Sequence, residues 1–200
     1  MKNKTQTGFT LYELLTTMLI VGVVLTLGVP NMTAFRQNSS MTAAANDLHS
    51  SFHLARTEAS RAKDNITICA SLDPLGAAPD CDVAAEFENG WIVFQDTNAS
   101  LTVDAGEFVL KAFPALNTSI TVTSDGSRDY FTFAQTGLGR TVAGETPIST
   151  AVMCDGRGNE TAAGGRSAAR VLIVTPLGRA AVFSDKSQID AKIAIVGGCP

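Results

Sequence analysis

Charged residues are scarce in this chain. They make up 17% of its 200 residues, against about 25% in an average globular protein. Apolar residues stand at 45%, so the shortage of charge does not come with a shortage of core-forming residues, and a disordered chain is excluded. An excess of cations is missing too. The net charge of −4 excludes a uniformly basic nucleic-acid binder. What charge there is divides unevenly. Arg36 to Lys63 holds four basic and two acidic residues, Asp64 to Asp125 holds ten acidic residues and only Lys111, and Gly126 to Pro200 holds eight basic and six acidic. A local basic patch in the last third therefore stays open. The length fits one sizeable domain with attachments.

Signatures of catalysis and of metal binding are also missing. No C-x-x-C pair occurs among the four cysteines, and a zinc site is poorly matched. The H-E-x-x-H pattern is absent. His49 and His53 lie four apart and share a face if helical, but a third ligand is lacking, so they read as surface or helix-packing residues. No serine, cysteine or carboxylate pair has a recognisable catalytic setting. Neither an enzyme nor a cofactor nor a metal is expected. One segment runs against this. Asp96, Asn98, Ser100, Thr102, Asp104 and Glu107 place oxygens at spacings like those of a calcium loop. Leu101 occupies the sixth position, where the sharp turn requires glycine, so a polar hairpin loop is the preferred reading.

What is present is a long apolar run near the start. From Phe9 to Val29 the only charge is Glu13, and Lys2 and Lys4 precede it. About 20 apolar residues suffice to cross a bilayer. The lysines hold the N-terminus in the cytoplasm and place everything after Pro30 on the far side. A cleaved secretory signal would have a shorter apolar region and a small-residue cleavage site. Gly28-Val29-Pro30-Asn31 matches that site poorly. A plain anchor leaves Glu13 unexplained, because a charge in hydrocarbon costs several kcal/mol unless paired. If the chain is cut after Gly8, Phe9 carries a free α-amino group, which can neutralise Glu13 of a neighbouring copy.

Pro30 breaks the helical ladder locally. The pattern then resumes, with Ala44, Leu48, Phe52, Ala55, Ala59 and Ala62 marking one apolar face up to about Lys63. From Ile66 the character is β. Strands are expected at 66–70, 91–95, 108–113, 120–123, 130–134, 151–154, 171–175, 180–184 and 193–196, separated by Gly, Asp, Asn and Pro. The stretch 155–165 reads as a mobile loop. With the chain anchored and its domain outside the cytoplasm, four cysteines suggest disulfides. They allow three pairings, and sequence does not choose among them. The preferred set is Cys69–Cys81, closing a loop that holds Pro74, Gly76 and Pro79, and Cys154–Cys199, tying down the C-terminal end. Free buried thiols are the alternative.

The run Gly8-Phe9-Thr10-Leu11-Tyr12-Glu13-Leu14-Leu15 after lysines resembles the class III signal of type IV prepilins and type II secretion pseudopilins. Tyr12 departs from the usual Ile or Val. The resemblance implies cleavage by prepilin peptidase between Gly8 and Phe9, N-methylation of Phe9, Glu13 as the assembly glutamate, and a helix bend or break at Pro30. Ile66-Thr67-Ile68-Cys69, Asn89-Gly90-Trp91-Ile92-Val93-Phe94, Asp104-Ala105-Gly106-Glu107 and Thr175-Pro176-Leu177-Gly178-Arg179 resemble the GspH/FimT family of minor pilins. The expected fold is α+β, a long N-terminal transmembrane and assembly helix packed on an antiparallel β-sheet or small β-sandwich. The expected divisions are a leader over 1–8, a transmembrane helix over 9–30, its periplasmic continuation over 31–63, and a β-rich domain over 64–200. The expected setting is a single pass through the bacterial inner membrane, with the domain periplasmic and later in a filament.

The resemblance implies a structural minor pilin whose partners are the peptidase, other pilin subunits and inner-membrane lipid. Two alternatives accompany it. One is a minor pseudopilin of a type II secretion system. The other is a DNA-binding pilin for uptake, because the FimT branch carries a Gly-Arg-x-Arg element. Here Gly178-Arg179-Ala180-Ala181 keeps its first half only. The candidate contacts to double-stranded DNA are Arg166, Arg170, Arg179 and Lys186, close together in sequence.

Overall fold

Fifty-two consecutive residues, Leu11–Ala62, form one α-helix, α1. A computed structural model of the chain describes residues 8–161 and 165–199; at Pro30 it describes the backbone only. The expected leader, 1–8, therefore lies almost wholly outside the described residues. The chain divides into two compact units, one ending at Ser39 and one beginning at Ser40.

In the first unit α1 is helical throughout, including at Pro30. The expected break there is not found. Proline removes one amide donor, but two side chains just after it add bonds to the same turn. Asn31 Nδ2 donates to Leu27 O at 2.9 Å and Thr33 Oγ1 to Val29 O at 2.8 Å. Polar side chains of this kind let apolar helices carry proline without breaking.

In the second unit α1 continues to Ala62 and stops at Lys63, which takes a left-handed φ of 56°. Nine strands follow: β1 (Ile66–Ala70), β2 (Trp91–Gln95), β3 (Val109–Phe113), β4 (Thr121–Ser124), β5 (Tyr130–Phe133), β6 (Gly139–Arg140), β7 (Thr150–Cys154), β8 (Arg166–Val174) and β9 (Ala180–Asp185). A second helix, α2 (Lys186–Val196), closes the described chain. The pairings between these strands are antiparallel. They build a five-stranded sheet ordered β3-β2-β1-β5-β6 and a four-stranded sheet ordered β4-β7-β8-β9.

Alternation sorts each strand into two faces. Ile66, Ile68, Ala70, Trp91, Val93, Phe131 and Phe133 of the first sheet share a core with Ala151, Met153, Leu172 and Val174 of the second. The same core takes Ala44, Leu48, Phe52, Ala55 and Ala59 of α1, the face that the spacing of four and three marks, and Met41 one turn before it, whereas Ala62 at the end of that expected face is exposed. Phe52 sits against the rings of Phe131 and Phe133 at 5.7 and 6.3 Å. Trp91 stacks on Phe113 at 4.9 Å, and its indole N–H donates to Ser51 Oγ at 2.8 Å. That buried bond fixes the rotation of α1 against the first sheet.

The outer faces are covered separately. Cys69, Ile92, Phe94 and Tyr130 lie under the loops that carry Cys81, Leu101 and Val103. Val152, Cys154, Ala169 and Val171 lie under α2. Both preferred disulfides are present, Cys69–Cys81 and Cys154–Cys199, with Cα atoms 5.5 and 5.4 Å apart.

The expected strand at 193–196 is instead the end of α2. Its β-branched residues suggest a strand, yet Ile189, Ile193 and Val196 recur at helical spacing and meet the second sheet together. Asp185 starts the helix by accepting from the amides of Ser187 and Gln188. The glycine-rich loop 155–165 holds turns and one bridge, Thr161 to Ser167, with 162–164 outside the described residues.

Candidate functional site

The N-terminal end of α1 is organised by Thr10 and Glu13. The Glu13 amide donates to Thr10 Oγ1 at 3.2 Å, while Glu13 Oε2 accepts from the Thr10 amide at 2.9 Å and from Thr10 Oγ1 at 3.0 Å. This is a reciprocal capping box, which satisfies amides that the first helical turn leaves without partners. The carboxylate thus caps its own helix in the single chain. The T-x-x-E spacing before an apolar run announces this box in the sequence, but the sequence reading took only the charge of Glu13 into account. Gly8 and Phe9 precede the box, and Phe9 is fully in the open at 85% exposure.

Between Glu13 and Arg36 the described apolar side chains of α1 face outward. Leu14, Met18, Leu19, Val23, Leu25, Leu27, Val29 and Phe35 are all at least half exposed. An 18-residue window here reaches a mean hydropathy of 1.9, and the helix is long and apolar enough to cross a membrane. A surface of this size rarely stays bare in water.

The four candidate DNA contacts do not form one cluster: Arg166 and Arg170 lie near each other, Lys186 adjoins the cross-strand partner of Arg166, and Arg179 stands apart. Arg166 opens β8 and pairs across to Asp185 of β9. Arg170 Nη1 donates to the carbonyls of Ser167, Ala168 and Ala169. Burial pulls its pKa down, and nearby Arg166 and Arg157 push the same way. Lys186 pairs with Asp190 at 2.8 Å, one turn along α2. Arg179 is exposed in the turn between β8 and β9. Arg166 stands opposite Asp185, at the far end of the six-residue β9 from that turn, which puts Arg179 roughly 20 Å away. Arg179 is separated because the β8–β9 hairpin places its turn at the opposite end from Arg166.

The 96–107 loop is held by its own donors. Asp96 is buried and accepts from Thr67 Oγ1 at 2.8 Å and from the Ser100 amide at 2.9 Å. Glu107 accepts from the amides of Thr97 and Asp104, and Asp104 accepts from Asn98 Nδ2 and Ser100 Oγ. Leu101 does adopt the left-handed φ of 59° that the turn needs, held by burial beneath the first sheet. Its carboxylates are bound to N–H and O–H groups in the arrangement of a polar hairpin, the preferred reading. Among the described residues no group of three or more His, Cys, Asp or Glu is placed to hold a metal ion. His49 and His53 lie on one face of α1 with Nε2 atoms 3.1 Å apart. Burial, His49 and Arg56 lower the pKa of His53.

The last binding element of the core is the turn at Gly178. Arg56 Nη1 of α1 donates to its carbonyl at 3.2 Å. Gly178 has φ +71°, and a Cβ there would meet Gly137 O at 2.7 Å and the Phe133 ring at 2.8 Å. The turn sits where only glycine fits, against the end of the core. With this arrangement in view, residues 44–178 match the family model described as "Type II transport protein GspH". The chain belongs to the GspH family.

A solved structure supports the fold. The chain is similar to the crystal structure of the type IV minor pilin FimU of Pseudomonas aeruginosa PAO1. The TM-score is 0.52 at 21% identity, over 76% of this chain and 94% of that one. A second crystal form of FimU aligns with a TM-score of 0.45 at 18% identity, over 73% and 94%. Among curated proteins no relative matches the chain.

As a GspH-family member the chain is a subunit of the minor pilin and pseudopilin type, which implies contact with other pilin subunits. One apolar N-terminal helix joined to a globular domain fits membrane anchoring. The family match takes in the α1 face, both sheets as far as Gly178 and the Cys69–Cys81 pair. Arg179, Lys186, Cys199 and the whole of α2 follow it.

Proposed function

We propose that this chain is a minor type IV pilin of the FimT kind, a structural subunit that initiates or joins a pilus filament. The observation that carries it is the outward apolar face of α1, with Glu13 its only charge before Arg36, on a chain whose domain is of the GspH family. In this reading prepilin peptidase cuts between Gly8 and Phe9, and Phe9 is then N-methylated. Residues 9–30 hold the subunit in the inner membrane with the domain in the periplasm. On assembly the apolar face leaves lipid for the helices of other pilins, and Glu13 pairs with the α-amino group of Phe9 on a neighbour. Glu13 then exchanges its own Thr10 cap for an intermolecular ion pair. The pair sets axial register, because a charge without its partner is costly in an apolar surrounding.

The capping box makes the test sharp. Glu13→Gln keeps an acceptor for the Thr10 amide but removes the charge. Thr10→Val keeps the charge but removes the hydroxyl. Filaments sheared from cells expressing each variant are probed for the subunit. Glu13→Gln is expected to be processed normally yet lost from filaments, and Thr10→Val to be incorporated. Incorporation of Glu13→Gln at the level of the unaltered chain would sink the ion-pair mechanism. Two Cys pairs and the Gly178-Arg179 element support the pilus over the secretion system. The separation of Arg179 from the other candidate cations, with Arg170 held by backbone carbonyls and Lys186 by Asp190, supports a structural subunit over a DNA binder.

A further inference from the structure

We propose that His49 and His53 form a two-imidazole chelate for a divalent first-row transition ion, with Zn2+ as the probe. These are the chain's only histidines. Their Nε2 atoms are 3.1 Å apart, and the rings meet edge to face, with centroids 4.5 Å apart and planes at 79°. Bonds of 2.0–2.1 Å in tetrahedral geometry place two ligand nitrogens about 3.3 Å apart. The two nitrogens thus already stand within a few tenths of an ångström of that spacing. The helix sets it, because residues four apart lie one above the other on a single face.

In the metal-free chain one Nε2–H donates to the other Nε2. On binding, that proton moves to the Nδ1 of the same ring through solvent, and both Nε2 lone pairs turn to the ion. No net proton is released from two neutral rings. Small rotations of the rings suffice, and there is space for them, since His53 is exposed and His49 half-buried.

The surroundings permit a cation. Arg56 is the nearest positive group, and its Nη1 is turned to Gly178 O. Glu58, further along α1, is occupied by Arg61 at 2.6 Å. The four cysteines are in disulfides and do not compete. The remaining positions on the ion are left to water, so the site is open and its affinity that of a two-ligand chelate. Imidazole favours ions in the order Zn2+ and Ni2+ below Cu2+.

The experiment titrates Zn2+ into the full-length chain in detergent micelles, measured by calorimetry, for the unaltered chain and for His49→Gln, His53→Gln and the double variant. One Zn2+ per chain is expected. Each single substitution is expected to lower the affinity roughly a hundredfold, to near that of the double variant, because the second bond is made intramolecularly. Thr57 lies one further turn along the same face, exposed. Thr57→His is expected to tighten binding roughly tenfold or more by adding a third nitrogen. Equal affinity of the unaltered chain and the double variant overturns the proposal. So does a single variant that keeps full affinity, or a Thr57→His chain no tighter than its parent.

Discussion

Ser51→Ala isolates the bond that registers α1 on the first sheet. Ser51 Oγ accepts from the buried indole N–H of Trp91 at 2.8 Å and donates to Asp47 O at 2.8 Å, and both residues are fully buried. Removing the hydroxyl leaves the indole donor without an acceptor, which costs about 1–3 kcal/mol. Alanine returns about 0.5 kcal/mol through its better helix propensity. The net loss expected is about 1–2 kcal/mol. Ser50→Ala is the control. Its hydroxyl makes the same bond to Asp47 O at 2.9 Å but is exposed, so its effect is expected within about 0.5 kcal/mol. The chain has one tryptophan, Trp91 itself, so equilibrium urea unfolding read by its fluorescence reports on this contact. With a slope of about 2 kcal/mol per molar urea, the Ser51→Ala midpoint falls by about 0.5–1 M. In a Trp91→Phe background, followed by circular dichroism, Ser51→Ala should have little effect, since the donor is gone. Equal midpoints for Ser51→Ala and Ser50→Ala would refute the account of how α1 is held.

The disulfides close loops of 12 and 45 residues, for which chain entropy gives about 3 and about 4 kcal/mol. Replacing Cys154 and Cys199 by alanine should therefore destabilise the domain more than replacing Cys69 and Cys81, and intact mass should rise by four hydrogens when both are reduced. Asp129 is almost buried between the Phe87 amide and Ser124 Oγ, and burial, with Glu88 and Asp125 nearby, raises its pKa. The native state thus holds this proton more tightly than the unfolded chain, so the group's contribution is full below the ordinary carboxylate range and falls as pH rises through the native value. Asp129→Asn should flatten that limb of a stability-against-pH curve, and an unchanged curve would remove Asp129 as its cause. The separated cations predict that Arg179→Ala leaves any low-salt DNA retention of the chain nearly unchanged; a large loss would restore a DNA-binding surface.

Much of the helix and strand plan was legible in residue order. The face Ala44, Leu48, Phe52, Ala55 and Ala59 repeats at steps of three and four, and short runs such as Trp91–Gln95 are bounded by turn residues. Both readings rest on local periodicity, which one sequence displays. β6 was missed because two residues, Gly139 and Arg140, carry no pattern. The C-terminal segment was misread because strand composition and helical spacing coincide in Ile193–Val196, and contact with the second sheet selected the helix. The break expected at Pro30 rested on the lost amide and on the family resemblance, without the side-chain bonds of Asn31 and Thr33.

The amino-acid sequence alone determined the apolar run with its single acid, the helical face of α1 and the antiparallel β character of the rest, because each is a matter of residue order. Tertiary structure alone decided which distant groups meet. It put Ser51 on Trp91, joined Cys154 to Cys199, and set Arg179 apart from Arg166 at the far end of the β8–β9 hairpin. Those outcomes depend on strand length, register and helix rotation, which are fixed only when the two sheets close on α1.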